Sequence, residues 1–142
     1  MSKAKERILV PVDFSGPSDA ALSYALALAG TSGADVELLH VWSPRGRGVF
    51  AETPQGAAME ERLSAAEAVH AARVSGRLEF GEEPSSVILG ILERERFDLV
   101  VMGNKGVGAA EAPPRDGHVA KTVAGSARCR VVTLPADDTE AA

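Results

Sequence analysis

Phe97-Asp-Leu-Val-Val-Met-Gly-Asn-Lys-Gly106, followed by a polar stretch and then Gly117-His-Val-Ala-Lys-Thr-Val-Ala-Gly-Ser-Ala127, decides the fold of this chain. Asp98–Met102 reads as a strand, and its Leu99–Met102 part is continuously apolar, as expected of a strand buried on both faces. Gly103-Asn-Lys-Gly106 ends it in a tight turn, Val119–Ala127 has helical spacing, and Arg130–Leu134 is a further strand. A strand that ends in glycines ahead of a helix gathers bare backbone N–H groups at the carboxyl edge of a sheet. Such groups, with a helix N-terminus behind them, favour an anion such as a phosphate.

Upstream, the same alternation repeats. Ile8–Val12 is an apolar strand that Pro11 brings to its end, because proline cannot donate to a central ladder. Ser15-Gly-Pro-Ser-Asp19 starts a helix: Pro17 suits the first helical position and Asp19 complements the dipole. Leu22, Ala25, Leu26 and Ala29 give Ala20–Ala29 an apolar stripe, which Gly30 and Gly33 close. Val36–Trp42 is the second strand and Ser43–Gly56 an excursion loop. A second helix is expected over Ala57–Val74, striped by Met59, Leu63, Ala66 and Val69, and a short third strand over Arg77–Phe80. Gly81-Glu-Glu-Pro84 turns into a third helix, Ser85–Arg96, with Val87, Ile88, Ile91 and Leu92 on its apolar face. Alternating strands and helices predict an α/β domain spanning 1–142, with a core at about 7–135 and an acidic tail at 136–142. Its five strands should form a mostly parallel, doubly wound sheet with helices on both faces, joined by right-handed crossovers. In the order 3-2-1-4-5 the crevice opens between strands 1 and 4, bringing Asp13 opposite Gly103 and Gly106.

Composition excludes several classes. Twenty acidic against 15 basic residues give a net charge of −5, which speaks against a nucleic-acid surface. One cysteine, Cys129, permits neither an internal disulfide nor a four-thiolate zinc site. The three histidines lack metal-ligand spacing. No stretch approaches the roughly 18 apolar residues of a membrane span, and Ile8–Val12 is too short for a signal peptide, so a cytoplasmic location is expected. Ser15, Ser85 and Ser126 lack nucleophile-elbow context, and no Gly-Lys-Ser/Thr follows Gly103–Gly106 to make a Walker loop. His40 reads as a satisfied sheet histidine and His70 as a solvated helix residue. Arg128 and Arg130 could lower the pKa of Cys129; a small residue tucked under the last turn is the competing reading.

Five pieces, in order, carry a family resemblance: Ile8-Leu-Val-Pro-Val-Asp13 with Ser15, Leu38-Leu-His-Val41, Gly81-Glu-Glu-Pro84, Asp98-Leu-Val-Val-Met-Gly103, and Val119-Ala-Lys-Thr-Val123. Together they resemble the universal stress proteins (UspA-like), over roughly Arg7 to Pro135. The resemblance implies an adenine nucleotide alpha hydrolase-like architecture and a stress-response regulatory protein. It also implies a site for ATP or a related adenine nucleotide, with magnesium, in which Asp13 contacts the adenosine part. Pro11 and Val41 would offer backbone groups nearby, and Gly103, Gly106, Gly117, His118 and Val119 would form the phosphate side.

Nucleotide-binding members carry Gly-x-x-Gly, nine residues, then Gly-Ser or Gly-Thr. Here ten residues separate Gly106 from Gly117, and His118 stands at the hydroxyl position. Pro113 and Pro114 cannot donate N–H bonds. A carboxylate such as Asp116 at ~6 Å from a phosphate costs about 3 kcal/mol at an effective dielectric of 20. Lys105, Arg115 and Lys121 could offset that. A degenerate site with micromolar or weaker affinity is therefore expected, with at most weak ATPase activity and no catalytic residues.

Three readings stay open. One is a nucleotide-binding switch. The second is a nucleotide-free dimeric interaction module, with Val107–Asp116 as its partner-facing loop. The third is an electron-transfer or adenylating enzyme of related architecture. The apolar edge strand Arg130–Leu134 is expected to be paired, and the resemblance implies a homodimer through it.

Overall fold

The structure is a computed structural model that describes residues 6–12, 16–42, 54–69, 73–81, 83–103 and 118–134. Five strands, β1 (Arg7–Pro11), β2 (Asp35–Trp42), β3 (Val74–Phe80), β4 (Leu99–Gly103) and β5 (Arg130–Leu134), alternate with four helices. These are α1 (Gly16–Ser32), α2 (Pro54–Val69), α3 (Pro84–Arg94) and α4 (His118–Ser126). The strands form one sheet in the order β3-β2-β1-β4-β5, and every neighbouring pair is parallel. This is the doubly wound arrangement expected from the alternation, with winding reversed between β1 and β4.

The burial pattern shows why β1 and β4 lie inside. Ile8, Leu9 and Val10 are buried in sequence, as are Leu99 to Met102, so both faces of these strands are covered. Residues of alternate parity feed two separate cores. Ile8, Val10, Val36, Leu38 and Val101 pack with Leu22, Ala25, Leu26 and Ala29 of α1 and Met59 and Ala66 of α2. On the other face Leu9, Leu39, Val100 and Met102 pack with Ile88 and Ile91 of α3 and Val123 of α4. Of the helix stripes read in the sequence, Leu22, Ala25, Leu26, Ala29, Met59, Ala66, Ile88 and Ile91 bury, and Leu63, Val87 and Leu92 are partly buried.

Several boundaries differ from the expectation: α2 starts at Pro54, within the expected excursion loop, α3 ends at Arg94, and the largest differences lie at the end of α1 and between α2 and β3. α1 continues through Gly30 and ends only before Gly33, whose φ of 79° is the left-handed conformation of a helix stop. The Gly33 N–H donates to the Ala29 carbonyl at 2.8 Å, which satisfies the last turn. α2 ends at Val69, and Val74 opens β3 instead of closing the helix. Pairing of Val74 with Val36 buries it, so the ladder wins over local helical preference. No helix among the described residues is long and apolar enough to cross a membrane.

Candidate functional site

The two rims of the sheet are built differently, and β1 decides both. Successive backbone N–H groups of a strand point to opposite neighbours. The Val12 N–H donates to the Leu39 carbonyl of β2 at 2.8 Å, so the nitrogen of Pro11 faces β4. That nitrogen has no hydrogen. Pairing between β1 and β4 covers only Ile8↔Leu99 and Leu9↔Val100, whereas pairing with β2 continues to Pro11↔Leu39. The same offset carried forward sets Val12 level with Gly103, the last residue of β4. The ladder at the switch point thus opens at its carboxyl end, where a missing donor and a missing side chain face one another.

At the amino end the same two strands are tied shut. Asp98 donates its N–H to the Arg7 carbonyl at 2.9 Å, and its carboxylate accepts the Arg7 N–H at 2.9 Å. The Arg7 guanidinium donates to the Arg96 carbonyl at 3.1 Å and lies 4.2 Å above the Phe97 ring. Asp98, expected within the fourth strand, therefore serves as the tie beneath it. Arg77 of β3 donates to Glu37 of β2 at 2.6 Å and to both oxygens of Glu95 at 2.7 and 2.8 Å. The Arg77 guanidinium, with help from Arg7, holds the Glu95 carboxyl below its ordinary range despite some desolvation. These residues were not singled out in the sequence. The available signal was the charge of Glu37 between the buried Val36 and Leu38.

Of the expected site residues, Pro11 and Gly103 are the last residues of the neighbouring strands β1 and β4. Val41 lies near the carboxyl end of β2, with its side chain packed on the α3–α4 core. His118 is the first residue of α4, and the Val119 side chain also packs on the α3–α4 core. Asp13, Gly106 and Gly117 lie outside the described residues, as do Lys105, Arg115, Asp116, His70 and the loop Val107–Asp116. His40 is satisfied as expected, its Nδ1 lying 2.9 Å from the Val12 carbonyl. Cys129 follows the reading of a small residue tucked under the last turn: burial pushes its thiol pKa up, and the nearby Asp98 charge acts in the same direction. No group of three His, Cys, Asp or Glu side chains among the described residues could hold a metal ion.

The family model described as the universal stress protein family matches residues 5–135. Universal stress protein UspA from Lactobacillus plantarum superposes with a TM-score of 0.75 at 24% identity, covering 93% of this chain and 99% of that one. A universal stress protein solved in complex with cAMP gives a TM-score of 0.75 at 22% identity, covering 95% and 100%. The universal stress protein from Archaeoglobus fulgidus in complex with dAMP gives 0.71 at 19% identity, covering 92% and 98%. No curated protein matches the chain.

Proposed function

The chain belongs to the universal stress protein family, and from that premise we propose that it is a cytoplasmic stress-response binding protein whose switch-point crevice takes an adenine nucleotide. The observation that carries the reading is the opened β1–β4 ladder, with the Pro11 nitrogen facing β4 and Gly103 level with the next residue of β1. A crevice outside the carboxyl ends of the strands, at the reversal of winding, is where α/β sheets receive ligands. Two structural neighbours that cover nearly the whole chain were solved with cAMP and dAMP, which supports an adenine ligand. Glycine admits a ligand to the backbone there, and a strand without a ladder partner leaves carbonyl and N–H groups free for it.

Against tight ATP binding stand the ten-residue spacing and His118 in place of a hydroxyl. We therefore assign a degenerate site, in which the adenosine half contributes more than the phosphates and any magnesium arrives with the phosphates. Binding and regulation, not catalysis, are the role. The assembly in this reading is a homodimer through β5, an edge strand that among the described residues pairs only with β4 and carries half-buried Val131, Val132 and Leu134.

Thermal unfolding with millimolar cAMP, AMP and MgATP tests the nucleotide reading. A ligand at a hundred times its Kd stabilises by about 2.7 kcal/mol. The expected order is a larger rise in Tm with AMP or cAMP than with MgATP. If none of the three shifts Tm, the nucleotide-free dimeric interaction module replaces this reading.

A further inference from the structure

At the amino rim, beside the start of β5, a cavity of about 440 Å³ opens between the end of α3 and the turn that joins α4 to β5. Leu92, Phe97 and Cys129 form its apolar floor, and Arg96, Arg128 and Arg130 stand around it. Its two acids are committed inward. Glu95 gives both oxygens to Arg77 at 2.7 and 2.8 Å. Asp98 takes the Arg7 N–H at 2.9 Å and has its other oxygen 3.7 Å from Arg96. Arg128 and Arg130 are exposed and form no ion pair with a described residue. The mouth is therefore positive above an apolar floor, and it suits an acidic peptide with small side chains.

The chain carries such a peptide directly after β5: Pro135-Ala-Asp-Asp-Thr-Glu140. β5 runs away from the cavity, from Arg130 to Leu134, so its own continuation leaves at the opposite rim. To come back, the segment would have to reverse at once and retrace about 13 Å of strand, covering the edge that the dimer uses. A two-fold pair removes that difficulty. Antiparallel pairing of β5 with β5 about Val132 sets the partner's Leu134 beside Arg130. The partner's Asp137, about 10 Å further along an extended chain, then arrives at the level of the Arg128–Arg130 cavity. We propose that in the dimer the acidic segment Asp137–Glu140 of each copy docks in trans into the arginine-rimmed cavity of the other. The inference rests on the β5 dimer and adds a second, charge-complementary contact, which makes the interface salt-dependent.

Cys129 in the cavity floor provides the test. Asp137→Cys in the full chain is oxidised with copper–phenanthroline at pH about 9, where a buried thiol still ionises in part, and run on a non-reducing gel. The expected product is a covalent dimer that disappears when Cys129→Ser is added. Its yield should fall about tenfold in Arg128→Glu/Arg130→Glu, as expected for the loss of two or three exposed ion pairs. Adding Asp138→Arg and Glu140→Arg to that variant should restore it, which also shows that the charge-reversed chain folds. Four results overturn the proposal. A disulfide within one chain places the segment in cis. A covalent dimer that survives Cys129→Ser joins the two tails to each other. A dimer in sedimentation without any cross-link leaves the β5 pairing standing and the docking refuted. A monomer at every concentration removes the dimer itself.

Discussion

Arg77 uses three guanidinium nitrogens on two carboxylates, Glu37 and Glu95, and these come from two different parts of the fold. Bidentate guanidinium–carboxylate pairs are stronger than ordinary surface ion pairs, and these groups are only partly exposed. Arg77→Met should therefore cost about 1–2 kcal/mol at pH 7. The sign with pH follows from Glu95, whose carboxyl is held low in the folded protein, first by Arg77. Its contribution is present above the unfolded value of about 4.3 and is lost as pH falls through the folded value. Urea unfolding should show wild type and Arg77→Met converging as pH falls below the unfolded carboxyl value; a gap that stays constant would mean that packing, not charge, carries the difference. Cys129 behaves in the opposite way to its flanking sequence. The arginines on either side suggest an activated thiolate, but the sulfur packs against the α3–α4 core and burial raises its pKa. A thiol reagent should modify it at least about tenfold more slowly at pH 7 in the folded protein than in urea. At this scale the sequence exposes what backbone chemistry dictates: Pro11 ends a ladder and Gly103 ends a strand wherever they fall. It hides the Arg77–Glu95 pair, because 18 residues separate the partners and no local period links them.

Elements were legible where burial on one face imposes a period. The α1 stripe Leu22, Ala25, Leu26 and Ala29 buries as spaced, and so do Ile88 and Ile91 of α3. The end of α2 was not legible, since Ala71-Ala-Arg-Val74 contains no breaker and continues the helical pattern. Only the neighbouring β2 strand, through Val36, recruits Val74 to the sheet. Gly30 and Gly76 show the same limit for glycine. In the sequence Gly30 reads as a helix stop, yet it lies inside α1 with open space where a Cβ would stand. A Cβ on Gly76 would meet Leu63 Cδ1 at 2.9 Å and Met59 Sδ at 3.1 Å, so α2 lies close over β3 because this residue has no side chain. The two substitutions should differ in sign. Gly30→Ala should stabilise by about 0.5–1 kcal/mol through helix propensity. Gly76→Ala should destabilise by about 1 kcal/mol, because flexible side-chain ends can give way, and Gly76→Val by about 2–3 kcal/mol. Chemical denaturation of the three variants checks this; a stabilised Gly76→Val would refute the close packing of α2.

On the scale of the molecule, one sheet has a rim clamped by charge and a rim opened by proline. β1 and β4 are covered on both faces, whereas β3 buries only Val74 and β5 is half-buried, so burial falls outward from the centre of the sheet. The order β3-β2-β1-β4-β5 was legible in the alternation of strands and helices, whereas Asp13, Gly106 and Gly117 lie outside the described residues. The outward fall in burial predicts the pattern of local opening. Amides of Leu9 and Val100 should exchange only through global unfolding, and amides of the β3 and β5 edges through smaller openings. An adenine nucleotide in the crevice should slow exchange at Val12 and Gly103, and leave Arg7 and Asp98 at the clamped rim unchanged. Hydrogen exchange with and without saturating nucleotide measures both. Uniform slowing across the sheet would mean that the ligand only raises global stability, and slowing confined to the Arg7–Asp98 rim would place the site at the wrong end of β1.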